Sequence, residues 1–136
     1  MNEQKETTRE LEGLLIDDGE QAIDSMLRRV LEPYVGFTRD GKMITKPAFL
    51  RLGDSARLLV ALLGRQAAVR LALPGATAEA NAEALHAECQ VPRKSCAEYL
   101  SRYKQKRLLE KNKTGYFVPI WAMANVAAAV QPKNSE

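Results

Sequence analysis

Leu85-His86-Ala87-Glu88-Cys89-Gln90-Val91-Pro92-Arg93-Lys94-Ser95-Cys96-Ala97-Glu98-Tyr99-Leu100 sets the architecture. Its first half reads as a helix that Thr77 can cap and that ends near Cys89. Gln90-Val91 leaves room only for a short turn. Pro92 suits the first turn of the next helix, where a fixed φ helps and a missing N–H costs nothing. That second helix is expected to reach about Arg107, with Cys96, Leu100 and Tyr103 inward at i, i+4, i+7.

Downstream, Leu108-Leu109-Glu110 and Tyr116-Phe117-Val118 are short strand-like runs. Lys111-Asn112-Lys113-Thr114-Gly115 between them is a polar turn, so the segment predicts a hairpin with a basic tip. Upstream, Asp54 or Ser55 caps a helix to about Leu73 that is apolar on most sides, hence central and buried. Pro74-Gly75 stops it. Further out, Ile23, Met26, Leu27, Val30, Leu31 and Tyr34 form the stripe of a helix over about Glu20 to Glu32, closed by Pro33. Thr7 or Thr8 caps an earlier one to about Ile16. Asp40-Gly41 between two β-prone runs, Phe37 to Thr45, predicts a hairpin with a type I′ turn. Ile120–Val130 is Ala-rich and suits a last helix before a polar tail.

The chain has 136 residues, 46% hydrophobic and 27% charged, which suits one globular unit and excludes wholesale disorder. Its longest apolar run, Leu58 to Leu63, is six residues, too short for a bilayer. Met1–Arg9 is polar and lacks an apolar export region, and the two cysteines then suit free thiols in the cytoplasm. Net charge is only +3, but residues 1–24 carry −6 and residues 92–113 carry +6. A basic segment of that density suits a polyanion, or an acidic contact within the chain or across a dimer.

From residue 54 to 118 the order is buried helix, helix, short turn, helix, basic hairpin, and over this half of the chain the sequence resembles the winged helix-turn-helix family. Leu85, Cys89, Val91, Ser95, Cys96 and Leu100 fit its pattern, followed by the runs at 108–110 and 115–118. His86 stands where a small residue is usual, and Gln90 and Arg107 stand where the pattern has glycine. The resemblance implies a mainly α fold with small β-hairpins (α+β). It further implies a winged helix over 54–119, with an N-terminal helical and hairpin extension over 1–53 packing on the core or a partner, and a C-terminal helix with its polar tail over 120–136.

A helix fits the major groove and meets bases and phosphates with its N-terminal half. The expected DNA-binding residues are therefore Arg93, Lys94, Ser95, Ala97, Glu98 and Arg102 on that helix, with Lys111 and Lys113 on the wing. Glu98 either accepts from a cytosine amine or marks a face away from DNA. The expected partners are double-stranded DNA and a second copy of the chain through the terminal helices, and no membrane. The function implied is a small transcriptional regulator working by occupancy. An assembly adaptor that uses the same fold on protein is the alternative, and an RNA-binding domain is a third reading.

Enzyme chemistry finds no support in these residues. His86 is the only histidine, and His86, Cys89 and Cys96 lack a fourth zinc ligand and the usual Cys-x-x-Cys spacing. Both thiols fall where the resembled motif packs apolar groups, so they read as buried and inert. No glycine pattern cradles a phosphate, no convergent effector pocket is legible, and no cofactor or metal is expected. Trp121 and Tyr116 read as core.

Overall fold

The computed structural model describes residues 20–130, so the helix expected over residues 7–16, the acidic stretch before residue 20 and the polar tail lie outside the described residues. The described chain is mainly α-helical with two small antiparallel hairpins. Its centre is α3, Asp54–Arg70, in which every residue from Leu58 to Leu63 is fully buried. A helix dry on all sides must be surrounded, and α3 packs against α1 (Glu20–Leu31), α4 (Ala82–Cys89), α5 (Arg93–Gln105) and α6 (Met123–Val130). Gly53 takes the N-cap position, and Asp54 sits in the first turn and pairs with Arg57 at 2.5 Å. The helix expected to reach Leu73 ends at Arg70. Ala72 adopts left-handed backbone (φ +56°) and the Leu73 N–H returns to the Ala68 carbonyl at 3.1 Å, which closes the helix end.

The stripe of α1 buries Ile23, Leu27, Val30 and Leu31 into the same core that holds Val126 and Val130 of α6. Strands β1 (Val35–Phe37) and β2 (Met43–Thr45) pair antiparallel, Val35 opposite Thr45 and Phe37 opposite Met43. Their turn is not type I′, since only Gly41 (φ +99°) has positive φ and Asp40 does not. Instead, the Gly41 N–H bonds the Thr38 carbonyl at 3.1 Å and the Thr38 N–H bonds Lys42 at 2.9 Å, a three-residue loop with glycine at the left-handed position. A side chain there would also meet the Pro74 carbonyl at 2.5 Å, so the loop backs directly onto the segment after α3. Pro47 begins the short helix α2 (Pro47–Leu50), which buries Phe49.

Thr77 does not cap a helix. Its hydroxyl bonds the Glu79 carbonyl, and Asn81 caps α4 instead, accepting from the Ala84 N–H at 2.8 Å. The intervening residue, Ala80, exchanges two backbone hydrogen bonds with Tyr116, at 2.9 and 2.8 Å. It thereby adds one antiparallel bridge beside the second hairpin, β3 (Glu110–Lys111) and β4 (Tyr116–Phe117). Close approach demands glycine at 115, where a Cβ would stand 2.5 Å from the Ala80 backbone. Gln66 of α3 ties down the strand exit by donating to the Val118 carbonyl at 2.7 Å. A 3₁₀ turn, Ile120–Ala122, leads into α6. Among the described residues no helix is long and apolar enough to cross a bilayer.

If α3 organises the core, Leu62→Ala should lower unfolding free energy by about 2–5 kcal/mol, while Val69→Ala, at a position 42% exposed, should change it by less than about 1 kcal/mol. Urea denaturation of the two variants provides the comparison.

Candidate nucleic-acid interface

The link between α4 and α5 is built by three side chains and one strained residue. Gln90 ends α4 in left-handed backbone, φ +57° and ψ +39°, a conformation that costs a non-glycine residue about 1–2 kcal/mol. Val91 is buried, and its carbonyl accepts from His86 Nδ1 at 2.7 Å and from the Cys96 thiol at 3.6 Å. His86 and Cys96 thus clamp the turn from both helices. Cys89 donates to the Arg57 carbonyl at 3.7 Å and joins the turn to α3. Arg65 of α3 pairs with Glu88 and donates to the Glu79 carbonyl at 3.1 Å, which fixes α4 from its other side.

Both thiols are fully buried. Burial is the main cause that pushes Cys89 up from 9.0 to about 12, with the Glu88 carboxylate adding to it. Burial, then Asp54, raises Cys96 as well. A thiol held neutral in this way is a poor nucleophile and a poor metal ligand. Among the described residues no three His, Cys, Asp or Glu side chains are grouped to hold a metal ion.

Helix α5 buries Cys96 and Leu100 against the core, with Tyr103 half-buried beside them. Helical spacing puts Lys94, Glu98, Ser101 and Gln105 on the opposite, exposed stripe. That ridge carries one cation and one anion, so Glu98 stands in its middle. The other cations flank it. Arg102 lies over the Tyr99 ring at 5.5 Å, on the side where Ser95 is half-buried. Arg93, Ala97 and Lys104 occupy the other flank, where Arg93 pairs with Glu83 of α4 at 2.7 Å.

Pro92 is the N-cap of α5, no side chain caps the helix, and its first turn holds Arg93 and Lys94 with no acid. Cations there oppose the helix dipole, each at a cost of about 0.3–1 kcal/mol. An anion approaching that end meets the dipole, the N–H groups of the first turn and Lys94, beside an Arg93 that Glu83 already engages.

The hairpin tip is organised by Asn112. Its Oδ1 accepts from the N–H groups of Thr114 and Gly115 at 2.8 and 3.1 Å, and its amide donates to Glu79 at 3.0 Å. Lys113 stands exposed at the tip, and Lys111 lies 5.3 Å from the Tyr116 ring. Among the described residues no hydrogen bond or ion pair joins Arg93, Lys94 or Arg102 to either hairpin lysine.

Tyr116, expected in the core, is half-buried against it, and Trp121 is not core: it is 56% exposed. The reason is helical phase. Ala122, Met123, Val126, Ala127 and Val130 fill the inward side of the last segment, which leaves position 121 outside. That phase was readable from the apolar spacing. Trp121 instead lines a cleft of about 420 Å³ with Lys104, Arg107, Leu109, Glu110 and Lys111, which brings the end of α5 and the hairpin base together. A separate groove of about 400 Å³ lies between α1, β1 and the end of α3, with Leu27, Leu31, Val35, Phe37 and Leu71 among its walls.

Two outcomes follow from this geometry. Arg107 shares the left-handed backbone of Gln90 (φ +64°), so Gln90→Gly and Arg107→Gly should each raise unfolding free energy by about 0.5–1 kcal/mol in chemical denaturation. The raised Cys89 value means that its contribution is complete below pH 9.0 and is lost as pH climbs toward about 12. The urea midpoint should therefore fall above pH 9.0, less steeply in Cys89→Ala than in the parent chain.

Set against models of known protein families, curated proteins and solved structures, the chain matches none of them.

Proposed function

We propose that this chain binds double-stranded DNA as a winged helix-turn-helix protein, with α5 as the helix entering the major groove and the β3–β4 hairpin as the wing. The observation that carries the reading is the uncapped N-terminal turn of α5, where Arg93 and Lys94 sit against their own helix dipole with no acid in the turn; Glu83 of α4 answers Arg93, and Lys94 has no carboxylate partner among the described residues. Local rules are broken most often where function requires it, and a phosphate at this end removes the conflict.

The chain order adds support. A buried helix is followed by one bridged residue at Ala80, two helices and a hairpin that pairs with that residue. Gln90 and Arg107 hold left-handed backbone at the two places where the resembled pattern carries glycine. The backbone of the pattern is therefore kept where its residues are not.

In this mechanism no bond is made or broken. Lys94 meets guanine edges or phosphate, Ser95 and the first amides of α5 take a phosphate, and Arg102 holds backbone about two turns further along. Lys111 and Lys113 reach the neighbouring groove, and Ala97 offers the small surface that a thymine methyl fits. The work is occupancy, as in a small transcriptional regulator. A homodimer through α1 or α6 would repeat the face on half-sites about 34 Å apart.

The rival is an assembly adaptor, and Glu98 at the centre of the exposed ridge is what favours it. Anisotropy of labelled duplex pools separates the two. With about six phosphates neutralised, log K against log salt should have a slope of about −5, and Lys113→Ala should flatten it by about 1 while weakening all sequences alike. Failure to bind any duplex at low salt would leave the adaptor.

A further inference from the structure

The cleft at the foot of the hairpin joins features that a duplex-reading surface does not need. Buried Leu109 forms part of its lining, and Trp121, the only tryptophan of the chain, stands 56% exposed at its edge beside Ile120 at 54%. Lys104, Arg107 and Lys111 surround it, with Glu110 as the one carboxylate. Among the described residues Lys104 and Arg107 take part in no ion pair. Arg107 also holds left-handed backbone, where glycine would relieve the conformation. A cation therefore occupies a position that the fold alone would give to glycine.

We propose that this cleft holds an unpaired nucleotide, its base stacked on the Trp121 indole and its flanking phosphates met by Lys104, Arg107 and Lys111. The inference rests on the DNA-binding reading and extends it from the duplex to a frayed end, gap or overhang. An exposed indole that shares a cleft with three cations is what stacking platforms for single strands require, because every base has a π-face and every linkage a charge. A volume of about 420 Å³ lies within the range of small-ligand sites, about 300–1,000 Å³.

The competing occupants fit less well. Lysine is depleted from the centres of protein interfaces. A symmetric second copy would bring a second Lys104, Arg107 and Lys111 against the first, like charge facing like charge. A single nucleotide answers the indole and the cations together, and Glu110 can accept from a base amine.

Trp121 is its own probe, since tryptophan emission reports on this cleft alone. The full chain is titrated with a labelled blunt duplex and with the same duplex carrying a short single-stranded extension, and anisotropy and tryptophan emission are followed together. The extension should tighten binding about tenfold and quench emission, and Trp121→Ala should abolish that gain while blunt-duplex affinity stays within about twofold. Trp121→Phe should keep part of the gain, and Arg107→Gly should lose part of it while stabilising the fold. Equal binding of the two duplexes with unchanged emission would overturn the cleft proposal and leave the duplex reading standing. Absence of binding to either would overturn both. Emission that changes with protein concentration alone, and self-association that Trp121→Ala abolishes, would make the cleft a dimer contact and overturn the proposal.

Discussion

Exclusion of water from Leu58 to Leu63 is the constraint on which the remaining elements depend. All six residues are fully buried, so apolar surface must reach α3 from every direction. Large apolar side chains contribute about 1.5–3 kcal/mol each on burial, and no single neighbour can cover them all. Helices α1, α4, α5 and α6 share the task. Each supplies one apolar stripe; α1, α4 and α5 keep charged residues outward, while α6 exposes Ala124, Asn125, Ala128 and Ala129. The position of Lys94 and Arg102 on the surface is a consequence: α5 is fixed by Cys96 and Leu100 reaching inward, and its charges are what remains.

Where two elements meet at a sharp angle, the chain accepts strain. Gln90 and Arg107 bound α5 at either end in backbone that glycine would adopt freely. At Gln90 the neighbouring clamp compensates, because the Val91 carbonyl is held by both His86 and Cys96. At Arg107 no clamp of that kind exists; a backbone bond from Leu108 to the Tyr103 carbonyl at 3.0 Å closes the turn, and the side chain faces a cleft lined by two lysines. The first position reads as a structural joint and the second as a place where charge was kept at some expense in stability.

Long periodic segments were legible from residues alone, because burial selects one face and leaves a readable period. The stripe of Ile23, Leu27, Val30 and Leu31, the all-round burial of α3, and Cys96 with Leu100 inward on α5 are all of this kind. What the sequence did not disclose is non-local. Ala80 carries no mark of its bridge to Tyr116, which exists because Gly115 lets two backbones close to contact. Asn81 displaces Thr77 as the cap for the same reason, since the preceding residues are drawn toward the hairpin. The three-residue turn uses the positive φ of Gly41, and its close approach to Pro74 is a contact that the Asp-Gly pair does not announce. Of the eight residues expected to meet DNA, Glu98 stands out in the sequence as the misfit of the ridge, whereas the engagement of Arg93 by Glu83 is visible only in the fold.

The central claim is spatial: one duplex lies across the start of α5 and the tip of the hairpin at once. Backbone amide resonances followed during titration with a short duplex at low salt test it most directly. The account predicts that the amides of residues 93–98 and 111–115 shift together and saturate at one stoichiometry, while those of α1 stay in place. Shifts confined to α1 and α6, or to one of the two cationic elements alone, would contradict it.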